Sequence, residues 1–187
     1  MRLFVAIEIP KEVRAAVASL LNEFRALSPQ TKWVRAENMH LTLKFLGETD
    51  AAKLSEVKSA LVSIHSTQPV MLQFRGLSFF PYAKGPRVFW ASIQSTSDLA
   101  SLAGEIDNAM HKLGFPLESR PFVPHLTLAR FNEPRQAAAL RNAVVEKASR
   151  SIGSFSAREF HLIESKLKST GAEYATLQTF EFAAGNE

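Results

Sequence analysis

The chain contains no cysteine. Disulfides, thiolate nucleophiles and cysteine-ligated zinc are thereby excluded. The lack of any thiol fits a reducing cytoplasm, which is the expected location. No apolar run approaches the ~20 residues that a membrane span requires, so no membrane partner is expected. The opening "MRLFVAIEIPKE" is too short and too quickly charged for a secretory signal and reads as a strand. The glycine-rich phosphate loop of nucleotide-binding folds is missing, and so is the nucleophile elbow of serine hydrolases. No Pro-, Gly- or Ser-rich linker divides the chain, so residues 1–187 read as one domain, or two lobes sharing a core. The net charge of +4 suits a phosphate-bearing partner, although the basic residues are spread out with no dense cluster.

Apolar spacing predicts four helices. The first begins near Pro10 and carries Val13, Val17, Leu20, Phe24 and Leu27. A second is capped by Asp50 and carries Leu54, Val57, Leu61 and Ile64. The third follows Ser97 or Asp98, turns Leu99, Leu102, Ile106 and Leu113 inward, and stops at Gly114. A fourth starts at Pro134. Between them lie strand-like segments: "LFVAIEI", "TKWVRA", "MHLTLKFLG", "VMLQFRGLSFF", "RVFWASI", "PHLTLARF", "FSAREFHLIESKL" and "AEYATLQTFEF". The helices are too few for a strictly alternating parallel sheet, which favours an α+β class with mainly antiparallel strands.

One tetrapeptide, His-Leu-Thr-Leu, occurs twice, at His40 and at His125. Alternation along a strand puts His40 and Thr42 on one face and Leu41 and Leu43 on the other, and likewise His125 and Thr127 against Leu126 and Leu128. Leucines buried in a core would aim both imidazoles and both hydroxyls at one cleft. Two facing imidazoles suit phosphodiester hydrolysis, because an ordinary pKa of about 6.5 leaves both the acid and the base form accessible near neutrality. Threonine hydroxyls can hold the phosphate oxygens. A solvated strand face is the plainer reading of either copy alone. A metal site is the poorer one, since neither copy has a second His or a carboxylate at a common ligand spacing.

In their wider setting these motifs resemble the two-histidine phosphoesterases, and among them the RNA 2′,3′-cyclic phosphodiesterases, historically called 2′-5′ RNA ligases. The similarity rests on "WV…HLTLKFLG", "GLSFFPYAKGPRVFWASI", "RPFVPHLTLAR" and "LIESKL…GAEYATLQTF" in that order, and it covers nearly the whole chain. It implies a bilobal α+β fold in which two mainly antiparallel sheets flank a central cleft, with helices outside and no metal or other cofactor. It implies hydrolysis of an RNA 2′,3′-cyclic phosphate end to a 2′-phosphomonoester, with 2′-5′ ligation as the reverse reaction. Carried onto this chain, His40 is the proton donor and His125 the proton acceptor, while Thr42, Thr127 and Arg130 hold the phosphate. A monomer is expected.

Arg130 stands an odd number of residues after His125, so it reaches the cleft only if the strand ends, twists or bulges after Leu128. Lys44, four residues after His40, has the right parity for a phosphate contact. Trp33, Phe45, Phe79, Phe80, Tyr82 and Phe131 lie near the motifs and could stack on bases, although core packing is the commoner fate of aromatics. His65 and His111 read as helix-end partners and His161 as structural. Two rival functions use the same residues: a phosphodiesterase on small cyclic or 2′-5′-linked nucleotides, and a non-catalytic RNA-end-binding module.

Overall fold

Nine strands and four helices build two antiparallel sheets in the computed structural model, which describes residues 1–64, 68–81, 85–96, 98–169 and 171–182. The strands are β1 (Arg2–Glu8), β2 (Lys32–Trp33), β3 (His40–Glu48), β4 (Val70–Phe80), β5 (Val88–Ser95), β6 (His125–Arg130), β7 (Ser151–Ala157), β8 (Glu159–Lys168) and β9 (Gly171–Glu181). The helices are α1 (Lys11–Arg25), α2 (Leu54–Val62), α3 (Asp98–Lys112) and α4 (Pro134–Glu146). One sheet has the order β3-β1-β8-β9 and the other β2-β6-β5-β4-β7. The expected α+β class with mainly antiparallel pairing is therefore the observed one.

The helices form where the apolar stripes placed them. Helix α1 buries Val13, Val17, Leu20, Leu21 and Phe24, and Phe24 meets Phe89 of β5 ring to ring at 5.2 Å. Leu27 is a correction: α1 ends at Arg25, which leaves Leu27 about half exposed. Asp50 does cap, its side chain accepting from the Ala52 amide of a short 3₁₀ turn just ahead of α2. Helix α4 opens on Pro134 behind a reciprocal pair, Glu133 with Gln136, that satisfies the first free amides. His65, Tyr82 and Ser97 lie outside the described residues.

Sheets and sequence halves do not coincide. Helix α1 leaves β1 of the first sheet and packs on β7 of the second; α3 leaves β5 of the second and packs on β3 of the first. Strand β2 pairs with β6, and β8 and β9 return to the first sheet. "FSAREFHLIESKL" is two strands rather than one, broken at Arg158, whose carbonyl accepts from the Phe182 amide at 2.7 Å. The break hands the chain from one sheet to the other.

Strand β1 is central in its sheet and buried on both faces from Leu3 to Ile7. Leu3, Val5 and Ile7 join the main core, whereas Phe4 and Ala6 form a separate small cluster with Ile163 of β8. That second cluster floors the face on which the first motif opens.

Candidate active site

Leu41, Leu43, Leu126 and Leu128 are all buried, none more than 5% exposed. At roughly 1.5–3 kcal/mol for each buried leucine, they fix the facing of both motif strands. His40 and Thr42 on β3, and Thr127 on β6, are left half-buried on the opposite face, and His125 is exposed there. The alternation expected from the tetrapeptide is present in both copies.

The two strands are also brought together. Strand β2 pairs along β6, Lys32 opposite Arg130 and Trp33 opposite Ala129, and the Val34 amide continues the ladder to the Leu128 carbonyl at 2.9 Å. The first motif begins a few residues later, and β3 contacts β6 directly. Tyr174 of β9 gives an electrostatic measure of the same closeness. Its ring lies 5.1 Å from that of His40, while the Arg130 charge, borne on β6, acts on its hydroxyl. Burial pushes the Tyr174 phenol up, and Arg130 and Arg2 pull the other way.

Both imidazoles are held alike. His40 Nδ1 lies 2.8 Å from the carbonyl of Asn38, and His125 Nδ1 lies 2.8 Å from the carbonyl of Val123. A carbonyl only accepts, so each Nδ1 carries the proton and each Nε2 is left for chemistry. Asn38 is itself fastened, its side-chain amide donating to the Ala172 carbonyl at 2.8 Å. Trp90 of β5, opposite Thr127, meets the His125 ring at 5.8 Å edge to face.

Burial pulls the His40 imidazole down to about 4, against the Asn38 carbonyl and the negative charge of Glu8, which both raise it. Unliganded His40 is therefore neutral at physiological pH.

Arg130 does share the histidine face, and the reason is a register shift. Pairing of β5 with β6 runs from Phe89–Ala129 straight to Trp90–Thr127 and skips Leu128. One extra residue reverses the parity beyond it, so Ala129 is buried and Arg130 exposed. Strand β3 does the same. Val5 pairs with Lys44 and Ala6 with Thr42, so Leu43 is skipped.

Lys44 is consequently a correction. It is 2% exposed and its ammonium is spent on Asp107 of α3 at 2.6 Å, the Pro116 carbonyl at 2.6 Å and Glu118 at 3.4 Å. A strand-parity count assumes an unbroken pleat, and the skipped leucine breaks it.

The side chain turned to the His40 face instead is Phe45, 58% exposed, its ring 6.2 Å from that of Phe4. Phe4 in turn lies 4.6 Å from His40 and 5.1 Å from Tyr174. Among the other aromatics, Phe79 and Phe131 are core, Trp33 donates its indole N–H to the Ser28 carbonyl, and Phe80 is exposed. His161 is buried against Thr179, and His111, read as a helix-end partner, faces the Phe115 carbonyl just past the end of α3. Tyr174, Phe4, Asn38 and Glu8 had no signal beyond their strand-like or loop setting. Among the described residues no group of three or more His, Cys, Asp or Glu could hold a metal ion, and no helix is long and apolar enough to cross a membrane.

The model of the LigT-like phosphoesterases matches in two segments, residues 7–90 and 93–174, one motif in each. The chain belongs to the LigT-like phosphoesterase family. It is 34% identical over 181 residues to an RNA 2′,3′-cyclic phosphodiesterase of Archaeoglobus fulgidus, covering 97% of this chain and 100% of that one. Its identity to the enzyme of the same name from Methanocaldococcus jannaschii is 33% over 178 residues, covering 95% and 99%. Among solved structures, a Thermus thermophilus protein superposes with a TM-score of 0.82 at 28% identity, over 100% of both chains. Escherichia coli LigT complexed with 3′-AMP superposes with a TM-score of 0.75 at 26% identity, over 97% of both. In this LigT-like phosphoesterase the paired motifs, their carbonyl-anchored imidazoles and the skipped leucines form one repeated device, present once on each sheet.

Proposed function

We propose that this chain hydrolyses RNA 2′,3′-cyclic phosphate ends to 2′-phosphomonoesters by acid–base catalysis between His40 and His125. The observation that carries this reading is the matched anchoring of the two imidazoles, which leaves one Nε2 for chemistry on each of two motif strands that touch. The curated relatives carry that activity in their names, and full-length similarity to them supports the same substrate class.

In the reaction, His125 Nε2 takes a proton from water as the water oxygen attacks phosphorus. The bond from phosphorus to the ribose 3′ oxygen breaks, and His40 Nε2–H protonates that oxygen as it leaves. The phosphoryl group stays on the 2′ oxygen. Thr42, Thr127 and Arg130 donate to the non-bridging oxygens, and Arg130 adds a charge-assisted bond. His40 must be protonated for its role although it is neutral in the empty site. A bound phosphodiester supplies the missing negative charge, which favours the imidazolium. The exposed Phe45 ring offers the terminal base a stacking surface, an interaction worth about 1–3 kcal/mol.

The test is an oligoribonucleotide ending in a 2′,3′-cyclic phosphate, incubated with the protein and analysed for the position of the phosphate. A 2′-phosphomonoester supports the reading. A 3′-phosphate, or an unchanged cyclic end, overturns it.

A further inference from the structure

We propose that Glu8 is a positioning residue for His40, a fixed carboxylate whose charge favours the protonated imidazole that leaving-group departure requires. This deepens the function proposed above and rests on it. Glu8 closes β1 directly opposite His40, which opens β3. The carboxylate is not loose: Thr176 Oγ1 of β9 donates to Glu8 Oε1 at 2.8 Å, a contact that reaches over the intervening β8. Glu8, His40 and Thr176 line one small hollow of about 90 Å³.

The charges and polar groups around His40 can be named element by element. Glu8 comes from β1, Arg14 from α1 and Glu37 from the turn before β3; Tyr174 and Thr176 come from β9, and Ile163 of β8 is apolar. The Asn38 carbonyl occupies Nδ1. Tyr174 stays a neutral phenol, since burial pushes it up, and Arg130 bears on Tyr174 across the cleft. Of the two carboxylates, Glu8 is the one whose charge raises His40. His125 has no carboxylate across its strand, because its partner on β5 is Ser92. Two otherwise matched motifs thus differ electrostatically in the sense that their roles demand: a base needs to be neutral, whereas an acid needs help to stay charged.

Glu8→Gln keeps the shape and can still accept from Thr176, but removes the charge. Two measurements on the full chain test the idea, with Glu37→Gln as the comparison. The first is the NMR titration of the His40 ring in the free protein, which does not depend on turnover. The second is the pH–rate profile on an oligoribonucleotide with a cyclic phosphate end. In Glu8→Gln the His40 titration and the basic limb of the rate profile should both move to lower pH, by roughly half to one unit. Turnover at pH 7 should fall about three- to tenfold and recover toward acid pH. Glu8→Asp should restore part of the shift. An unmoved His40 titration in Glu8→Gln, or an equal shift in Glu37→Gln, overturns the assignment. If wild type leaves the cyclic phosphate intact, the proposed function fails, while the ring titration still decides whether Glu8 governs His40.

Discussion

Phe45 and Arg130 occupy the same place in the two motif strands. Each stands five residues after its histidine and is turned onto the histidine's face by a skipped leucine, Leu43 in one strand and Leu128 in the other. The two strands otherwise present the same groups, an anchored imidazole and a threonine. The fifth position therefore makes the cleft asymmetric: an apolar ring on one side and a guanidinium on the other. Such a cleft suits a substrate with a base at one end and an anion at the other.

Phe45→Ala should weaken binding of a base-bearing cyclic phosphate. Loss of a stacking contact predicts a KM raised about 5- to 150-fold with kcat little changed. Ribose 2′,3′-cyclic phosphate, which lacks a base, should be handled alike by variant and wild type. Steady-state kinetics on both substrates check this, and an equal loss on both would show that the ring acts by packing alone.

Lys44 should matter for stability and not for phosphate binding. Its buried ammonium is the shared partner of Asp107, Glu118 and the Pro116 carbonyl. Lys44→Ala should cost about 3–5 kcal/mol in denaturant unfolding, because it strands the partly buried Asp107 charge. Lys44→Met combined with Asp107→Leu should recover most of that loss. KM of the folded variants should stay near wild type; a large rise would return Lys44 to the phosphate.

The depressed His40 ties stability to pH. Its folded-state value of about 4 lies below the ordinary 6.5, so between those values the unfolded chain takes a proton that the folded chain refuses. Stability should therefore fall as pH drops through that window. His40→Gln lacks this contribution, so the variant should gain on wild type from pH 7.5 to 4.5. Denaturant midpoints at several pH values check it, and a constant difference between the two proteins would contradict it.

Much of the site was legible because the leucines carry it. Leu41, Leu43, Leu126 and Leu128 must be buried, and burying them dictates where His40, Thr42, His125 and Thr127 face. Beyond the second leucine the reading lost its grip. A period-two count knows nothing of a register shift, so it promoted Lys44, passed over Phe45's turn toward the cleft and left Arg130 conditional. The condition set for Arg130 is met by the shift at Leu128. The sheet assignment was hidden for another reason: two-residue β2 pairs across the molecule with β6, a long-range contact with no local pattern. Glu8 and Tyr174 likewise acquire meaning only once β3, β1, β8 and β9 are assembled into one sheet.

The most direct test of the paired-imidazole account replaces each histidine in turn and varies the leaving group. His40→Ala and His125→Ala should each lower turnover of a cyclic-phosphate RNA end by about 10²–10⁴-fold while remaining folded. A substrate with sulfur in place of the bridging 3′ oxygen releases a thiolate, a far weaker base that needs little protonation. On that substrate His40→Ala should regain most of the lost rate relative to wild type, and His125→Ala should not. Equal recovery by both variants, or near-normal turnover by either on the oxygen substrate, would contradict the division of roles between the two rings.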